Sequence, residues 1–77
     1  MLTPEASRAG RALLNWGLKD LAERSGLAFT TISKFENGRR SYGSTAAKIA
    51  AAFEAAGVEV VNAEDRTGAI LVYARRA

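Results

Sequence analysis

A chain of 77 residues has room for one domain with one small core, and its formal charge of +3 favours an anionic partner. It holds neither cysteine nor histidine, which excludes disulfides, most structural zinc sites and most nucleophile-and-base pairs. The composition therefore predicts a protein without a cofactor or metal that is not an enzyme.

No apolar run approaches the roughly 18 residues that a membrane span needs, and the N-terminal segment lacks the apolar core of a signal peptide. We expect a cytoplasmic protein with no membrane partner. Residues 1–45 carry seven Lys and Arg against four Asp and Glu, whereas residues 46–77 carry four of each. This positive excess predicts that the first part of the chain faces the anion.

The first predicted element is a helix over residues 4–15. Thr3 is suited to cap it, Pro4 favours the first helical position, and Glu5 lies near the positive end of the helix dipole. Its small and apolar residues recur at helical spacing, namely Ala6, Ala9, Gly10, Leu13 and Leu14. Trp16, just after this helix, is predicted to pack in the core.

Two short helices with a turn between them are predicted next. The first of them ends at Gly26, which suits a left-handed turn. The second begins after Leu27 and directs Ile32 and Phe35 inward. Its outward residues are Thr30, Thr31, Ser33, Lys34 and Asn37. A polar, glycine-rich and basic loop over residues 37–43 follows.

A fourth helix is predicted over residues 44–56, because its apolar residues fit one helical face and Gly57 is a suitable stop. Residues 58–61 and 69–73 are β-branched and aromatic and predict the two strands of a hairpin. The turn-rich residues 62–68 are predicted to join these strands as a loop.

Residues 18–37 resemble the helix-turn-helix of the lambda-repressor and Cro-like family, also called the XRE family of bacterial and phage regulators. The residues that match its spacing are Leu21, Ala22, Gly26, Leu27, Ile32 and Phe35. The likeness covers about residues 4–57 and extends more weakly to the hairpin. It implies a mostly α fold, a lambda-repressor-like domain of four to five helices with a C-terminal β-hairpin or strand.

The resemblance implies that the third helix enters the major groove of DNA. The residues implied to lie nearest the base edges are Phe29, Thr30, Ser33 and Lys34, with Thr31 and Asn37 close to the backbone. The basic residues that flank this face and suit phosphate contacts are Lys19, Arg39 and Arg40, with Arg11 from the first helix.

Three positions depart from the family pattern. Ala28 stands where a serine or threonine usually caps the third helix, and Leu18 replaces a polar residue at the start of the second. Phe29 is apolar where a polar residue is usual. For this side chain, contact with a thymine methyl group and folding into the core both remain open.

The hairpin also has two interpretations. Its apolar residues Val58, Val60, Ile70 and Val72 either cover the helical core or form a sheet with a second copy. We predict the dimer, because a single helix-turn-helix buries little surface on DNA. Residues 1–57 are thus the predicted DNA-binding domain, and residues 58–77 are the predicted dimerisation element.

The predicted function is sequence-specific binding of double-stranded DNA by a transcriptional regulator, a repressor that acts as a homodimer on a palindromic operator. Two alternatives remain open. One is an antitoxin or accessory protein that also binds a small partner protein, and the other is a protein-interaction module that has lost DNA binding. We expect the protein to be encoded by a bacterium or a phage. Its expected localisation is the bacterial cytoplasm, in association with the nucleoid when DNA is bound.

Overall fold

The structure, a computed structural model, describes residues 2–40 and 43–75. It contains α1 (Pro4–Leu14), α2 (Leu18–Ser25), α3 (Phe29–Glu36), α4 (Gly43–Ala55), strands β1 (Val58–Ala63) and β2 (Arg66–Leu71), and a 3₁₀ turn (Tyr73–Arg75). The predicted mostly helical fold with a C-terminal hairpin is confirmed.

No helix in the described ranges is long and apolar enough to cross a membrane.

Local capping groups set the ends of the first two helices. Thr3 Oγ1 accepts a hydrogen bond from the Ala6 amide at 3.1 Å and caps α1, as predicted. Asn15 closes the same helix in the left-handed region, at φ 57°. Gly26 closes α2 at φ 74°, a conformation that glycine adopts without steric cost, and its amide donates to the Ala22 carbonyl.

One apolar cluster lies between the helices and the inner face of the hairpin. Its largest fully buried apolar side chains are Leu21, Ile32, Ile49, Phe53 and Val58. Trp16 is only partly buried, and it stacks on Phe53 with ring centroids 5.9 Å apart. The Arg24 guanidinium lies 5.1 Å from the Trp16 ring centroid. Trp16 therefore closes the edge of the core rather than filling its centre.

α1 and α4 approach each other closely at Gly10. A Cβ atom at this position would lie 2.9 Å from two ring carbons of Phe53, which is fully buried. The ring has no space into which it can move without disturbing the packed core. The absence of a side chain at Gly10 therefore sets how near α1 lies to α4.

The hairpin is longer, and its loop shorter, than the sequence predicted. The two strands pair antiparallel up to Ala63 opposite Arg66, so only residues 64–65 form the turn. The loop expected over residues 62–68 is therefore mostly strand. The polar residues of this segment were interpreted as a loop, but the tip of the hairpin is exposed, and polar side chains are common in exposed strands. Tyr73, expected in the second strand, lies in the 3₁₀ turn.

The four residues predicted as the dimer interface do not share one face of the hairpin. Val58 is buried in the core and Val60 packs against the same cluster. Ile70 pairs with Glu59 on the opposite face and is 52% exposed, and Val72 follows the end of β2. Strand side chains alternate between faces, so the four residues are divided between the two sides of the hairpin. Val58 and Val60 cover the helical core, and Ile70 lies on the outer side.

Hydroxyl groups tie the hairpin to α1. The Thr3 Oγ1 that caps α1 lies 2.6 Å from Thr67 Oγ1, and Thr67 Oγ1 donates to the Val61 carbonyl at 3.1 Å. Because Thr67 has only one hydroxyl proton, Thr3 is the donor in the bond between the two threonines. β2 also packs along α1. The hairpin therefore supports the first helix directly.

Candidate nucleic-acid interface

α3 presents one face to the core and the other to solvent. Ile32 is fully buried and Phe35 is nearly so. On the other face, Thr30, Lys34 and Asn37 are exposed, and Thr31 and Ser33 are partly exposed. The side-chain nitrogen Nδ2 of Asn37 donates to Ser33 Oγ at 3.5 Å, and this bond links two of these polar groups. The outward set predicted from the sequence is thus placed on the solvent side.

Phe29, the first residue of α3, is 47% exposed and does not fold into the core. Of its two interpretations, only the exposed one fits this position. The ring lies beside the outward polar face, where an apolar group can contact the methyl group of thymine.

The start of α3 has no side-chain cap, because alanine stands at the cap position. The Ala28 carbonyl accepts the amides of Thr31 and Ile32 at 3.1 and 3.2 Å. The amides of Phe29 and Thr30 are first-turn groups without a partner inside the helix. Amides in this position, at the positive end of the helix dipole, favour an anion such as a phosphate.

The four cations predicted to contact DNA from the motif and the following loop are exposed, namely Lys19, Lys34, Arg39 and Arg40. None of them forms an ion pair within residues 2–40 and 43–75. The single acid of α3, Glu36, is buried and paired. The exposed side of α3 therefore carries positive charge without a compensating carboxylate of its own.

A group of polar side chains, here called the Glu36 cluster, fastens the end of α3 to α1. The Glu36 carboxylate is 5% exposed and accepts Arg11 Nη2 at 2.6 Å and Arg11 Nε at 2.9 Å. Ser7 Oγ donates to the same carboxylate at 2.6 Å, and Arg8 donates to the Glu36 carbonyl. Two-point pairing of carboxylate and guanidinium is strong and directional. The cluster therefore fixes the orientation of α3.

Arg11 was predicted to contact phosphate, but its guanidinium is engaged in the Glu36 cluster. The hydrogen bonds that Arg11 donates to the Glu36 carboxylate raise the pKa of Arg11 further above its ordinary value, and burial opposes this only in part. Its Nη1 also donates to the Trp16 carbonyl at 3.3 Å, and the side chain is only 20% exposed. We therefore correct its role from DNA contact to support of α3.

Sequence reasoning did not single out Glu36. A signal was present, because Glu36 follows the inward Phe35 and lies four residues after the inward Ile32, on the same helical face. A buried carboxylate needs a cation. The partner could not be read from the sequence, because Arg11 is 25 residues away and belongs to another helix.

Residues 8–57, more than half of the chain, match the family model described as helix-turn-helix. The match runs from α1 to the end of α4 and includes Arg11 and Glu36. The chain belongs to this helix-turn-helix family, of the lambda-repressor-like XRE type, and is a DNA-binding transcription regulator. A comparison with curated proteins gives no match.

Proposed function

We propose that the chain is a repressor that binds a palindromic operator as a homodimer, with α3 in the major groove of each half-site. One observation carries this proposal. The inner face of α3 is buried and tied to α1 through Glu36, whereas its outer face is exposed and carries no acid. A helix held in this way can present side chains to the base edges, which differ for each base pair.

Four side chains of α3 are proposed to contact bases: Phe29, Thr30, Ser33 and Lys34. The Lys34 ammonium group can donate to the O6 and N7 acceptors of guanine. The hydroxyl groups of Thr30 and Ser33 can donate or accept, and the Phe29 ring can pack on a thymine methyl group. This combination predicts a half-site that contains both a guanine and a thymine.

The phosphate contacts are proposed to come from Lys19, Thr31, Asn37, Arg39 and Arg40, together with the free amides at the start of α3. These groups belong to α2, to α3 itself and to the residues that follow α3. Contacts to phosphate position the protein on the duplex without reading its sequence. They also make the affinity depend on salt, because bound phosphates release counterions.

The homodimer and the palindrome are proposed together. A single helix-turn-helix contacts a short stretch of DNA, and two copies related by a twofold axis read two half-sites one helical turn apart. A dimer seated on a promoter would block access to it, so repression needs only this binding.

Selection of bound duplexes from a random library tests the proposal. Purified protein at about 150 mM salt, close to physiological screening, should enrich a palindrome with half-sites about 10 base pairs apart. A variant with both Ser33 and Lys34 replaced by alanine is the matched control and should lose the consensus while keeping its fold. The proposal fails if the original chain enriches no sequence, because its exposed face then serves another partner.

A further inference from the structure

A groove runs between α4 and the uncovered edge of β1. Two adjoining cavities of about 340 and 300 Å³ form it, and Ala50 and Val60 line both of them. One cavity extends to Leu2 and Gly43, and the other to Glu54. Within the described residues β1 pairs only with β2, so no strand covers its other edge.

On the α4 wall of this groove, the residues that reach the surface form one stripe at positions 43, 47, 50 and 54, and the buried Ala46 lies beside them. Intervals of four, three and four place them on one helical face over about 16 Å. Gly43, Ala47 and Ala50 are small enough for a second helix to approach closely. The stripe is self-complementary. When a second α4 helix packs antiparallel against it, position 47 of each copy lies against position 50 of the other, and Gly43 lies against the longer side chain of Glu54.

The charges on α4 favour the same arrangement. Glu54 lies in the last turn of α4, at the negative end of the helix dipole, where a carboxylate is disfavoured. The first turn of α4 has no acidic residue to complement its positive end. Antiparallel packing of two α4 helices would place each Glu54 at the positive end of the other helix. The stripe thus matches a second copy of itself in both shape and charge.

We propose that this groove is the contact surface between two copies of the chain. The two α4 helices pack antiparallel about a twofold axis that passes between Ala47 and Ala50. The inference rests on the proposed homodimer and names its surface, which Val60 borders and Ile70 does not. Ile49 and Phe53, on the adjoining side of α4, face the core. No residue of α3 lines the groove, so this contact leaves the outer face of α3 free for DNA.

Sedimentation equilibrium of an Ala47→Arg variant tests this surface. Ala47 is exposed in one copy, so arginine is compatible with the fold, which circular dichroism verifies. In the dimer, two guanidinium groups would fill the contact, and the dimer Kd should rise at least about tenfold. The matched control is Ala55→Arg, at an exposed α4 position that lines neither cavity, and its Kd should be unchanged.

Two results of the sedimentation measurement would overturn the proposal. One is an original chain that stays monomeric up to about 1 mM, the concentration at which even weak association appears. The other is a dimer whose Kd is the same in the original chain and in Ala47→Arg, because the copies would then meet elsewhere.

Disulfide cross-linking gives a test that does not depend on weakening the dimer. The chain has no cysteine, so Ala50→Cys adds one thiol. In the proposed dimer the two copies of this thiol are offset by about 4.5 Å along closely packed helices, within disulfide reach. Oxidation should give a covalent dimer that a reductant reverses, whereas Ala55→Cys should remain monomeric. Equal cross-linking of the two variants would contradict the proposed surface.

A duplex with one selected half-site separates this inference from the proposed function. Sequence-specific binding to that duplex by a chain that never dimerises would refute the surface and retain DNA reading. A covalent Ala50→Cys dimer without any sequence preference would retain the surface and refute the proposed function.

Discussion

At the scale of single residues, the cations near α3 have different expected roles because they occupy different positions. Lys34 lies on the exposed face of the helix, among the hydroxyl groups that are proposed to meet the bases. Arg39 lies beyond the helix, where its amide donates to the Lys34 carbonyl at 3.0 Å. A base contact and a phosphate contact have different measurable signatures, so each substitution has its own expected outcome.

Replacing Lys34 by alanine should relax the preference at one base pair of each half-site. The lost discrimination should be about 1–3 kcal/mol, the amount that a good side-chain contact to a base supplies. Competition titrations with operators that differ at single positions measure this. Arg66→Ala, at the hairpin turn and outside the helix-turn-helix, is the control and should leave every preference as it was.

Replacing Arg39 by alanine should weaken binding to all sequences to a similar extent. The plot of log affinity against log salt concentration should become shallower by about one unit of slope, because one phosphate contact is lost. Titrations at several salt concentrations measure this slope. If Lys34→Ala and Arg39→Ala alter specificity equally, the division between base and phosphate contacts is wrong.

Glu36→Gln should destabilise the fold, although the two side chains have nearly the same shape. The substitution leaves the guanidinium of Arg11 without its carboxylate in a largely buried place. We expect a loss of about 2–3 kcal/mol in the free energy of unfolding. This is at or below the smallest loss typical of a broken buried ion pair, because the Arg11 guanidinium keeps some contact with solvent. Urea unfolding measures the change.

The control for this substitution is Glu23→Gln on the exposed side of α2, which should change the free energy of unfolding by less than about 0.5 kcal/mol. Similar values for the two variants would mean that the Glu36 cluster does not support α3.

The outward residues of α3 were predictable because helical periodicity is local. The cluster was not, because it joins side chains whose spacing in sequence carries no signal.

At the scale of elements, the contact between α1 and α4 at Gly10 should tolerate no methyl group. Gly10→Ala gains about 1 kcal/mol of helix propensity. The new Cβ would press on the Phe53 ring, which is fully buried and stacked on Trp16, so we expect a net loss of about 1–2 kcal/mol. Thermal unfolding measures this.

Gly68→Ala is the matched control, because a Cβ at Gly68 meets nothing within 4 Å. This variant should be as stable as the original chain or slightly more stable. A stable Gly10→Ala variant would show that Phe53 can shift within the core, and the distance between α1 and α4 would then not depend on glycine.

The helices and the hairpin differ in how far the sequence could predict them. Thr3 and Gly26 mark helix ends through contacts with neighbouring residues, so the predicted and observed ends of α1 and α2 agree closely. The hairpin loop was predicted too long because its length is set by pairing between strands, such as Ala63 with Arg66. Composition alone does not give that register.

At the scale of the whole molecule, the length of one copy limits how far apart the half-sites of the proposed operator can lie. The longest extent of the described chain is 33 Å, close to the roughly 34 Å of one turn of DNA. Two copies in direct contact therefore suit half-sites whose centres are about 10 base pairs apart. A longer separation would exceed what the proposed contact can span.

Insertion of five base pairs between the half-sites should reduce affinity to that of a single half-site. The insertion turns one half-site to the other side of the duplex and moves it out of reach. Insertion of ten base pairs should not restore binding, although it returns the half-site to the same side, because compact copies cannot bridge two turns. Fluorescence anisotropy with the three duplexes measures this, and recovery at ten base pairs would exclude a dimer of directly contacting copies.

The hydroxyl chain from Thr3 through Thr67 to the Val61 carbonyl has a consequence for how the molecule folds. It joins residues 64 positions apart, so the Thr3 hydroxyl that caps α1 gains its second partner only after the hairpin has docked. α1 in turn supplies Ser7 and Arg11, which hold the end of α3. Folding should therefore be one cooperative event paced by a non-local contact. The hairpin lies outside the family match, yet it is bonded to the same helix that holds the end of α3.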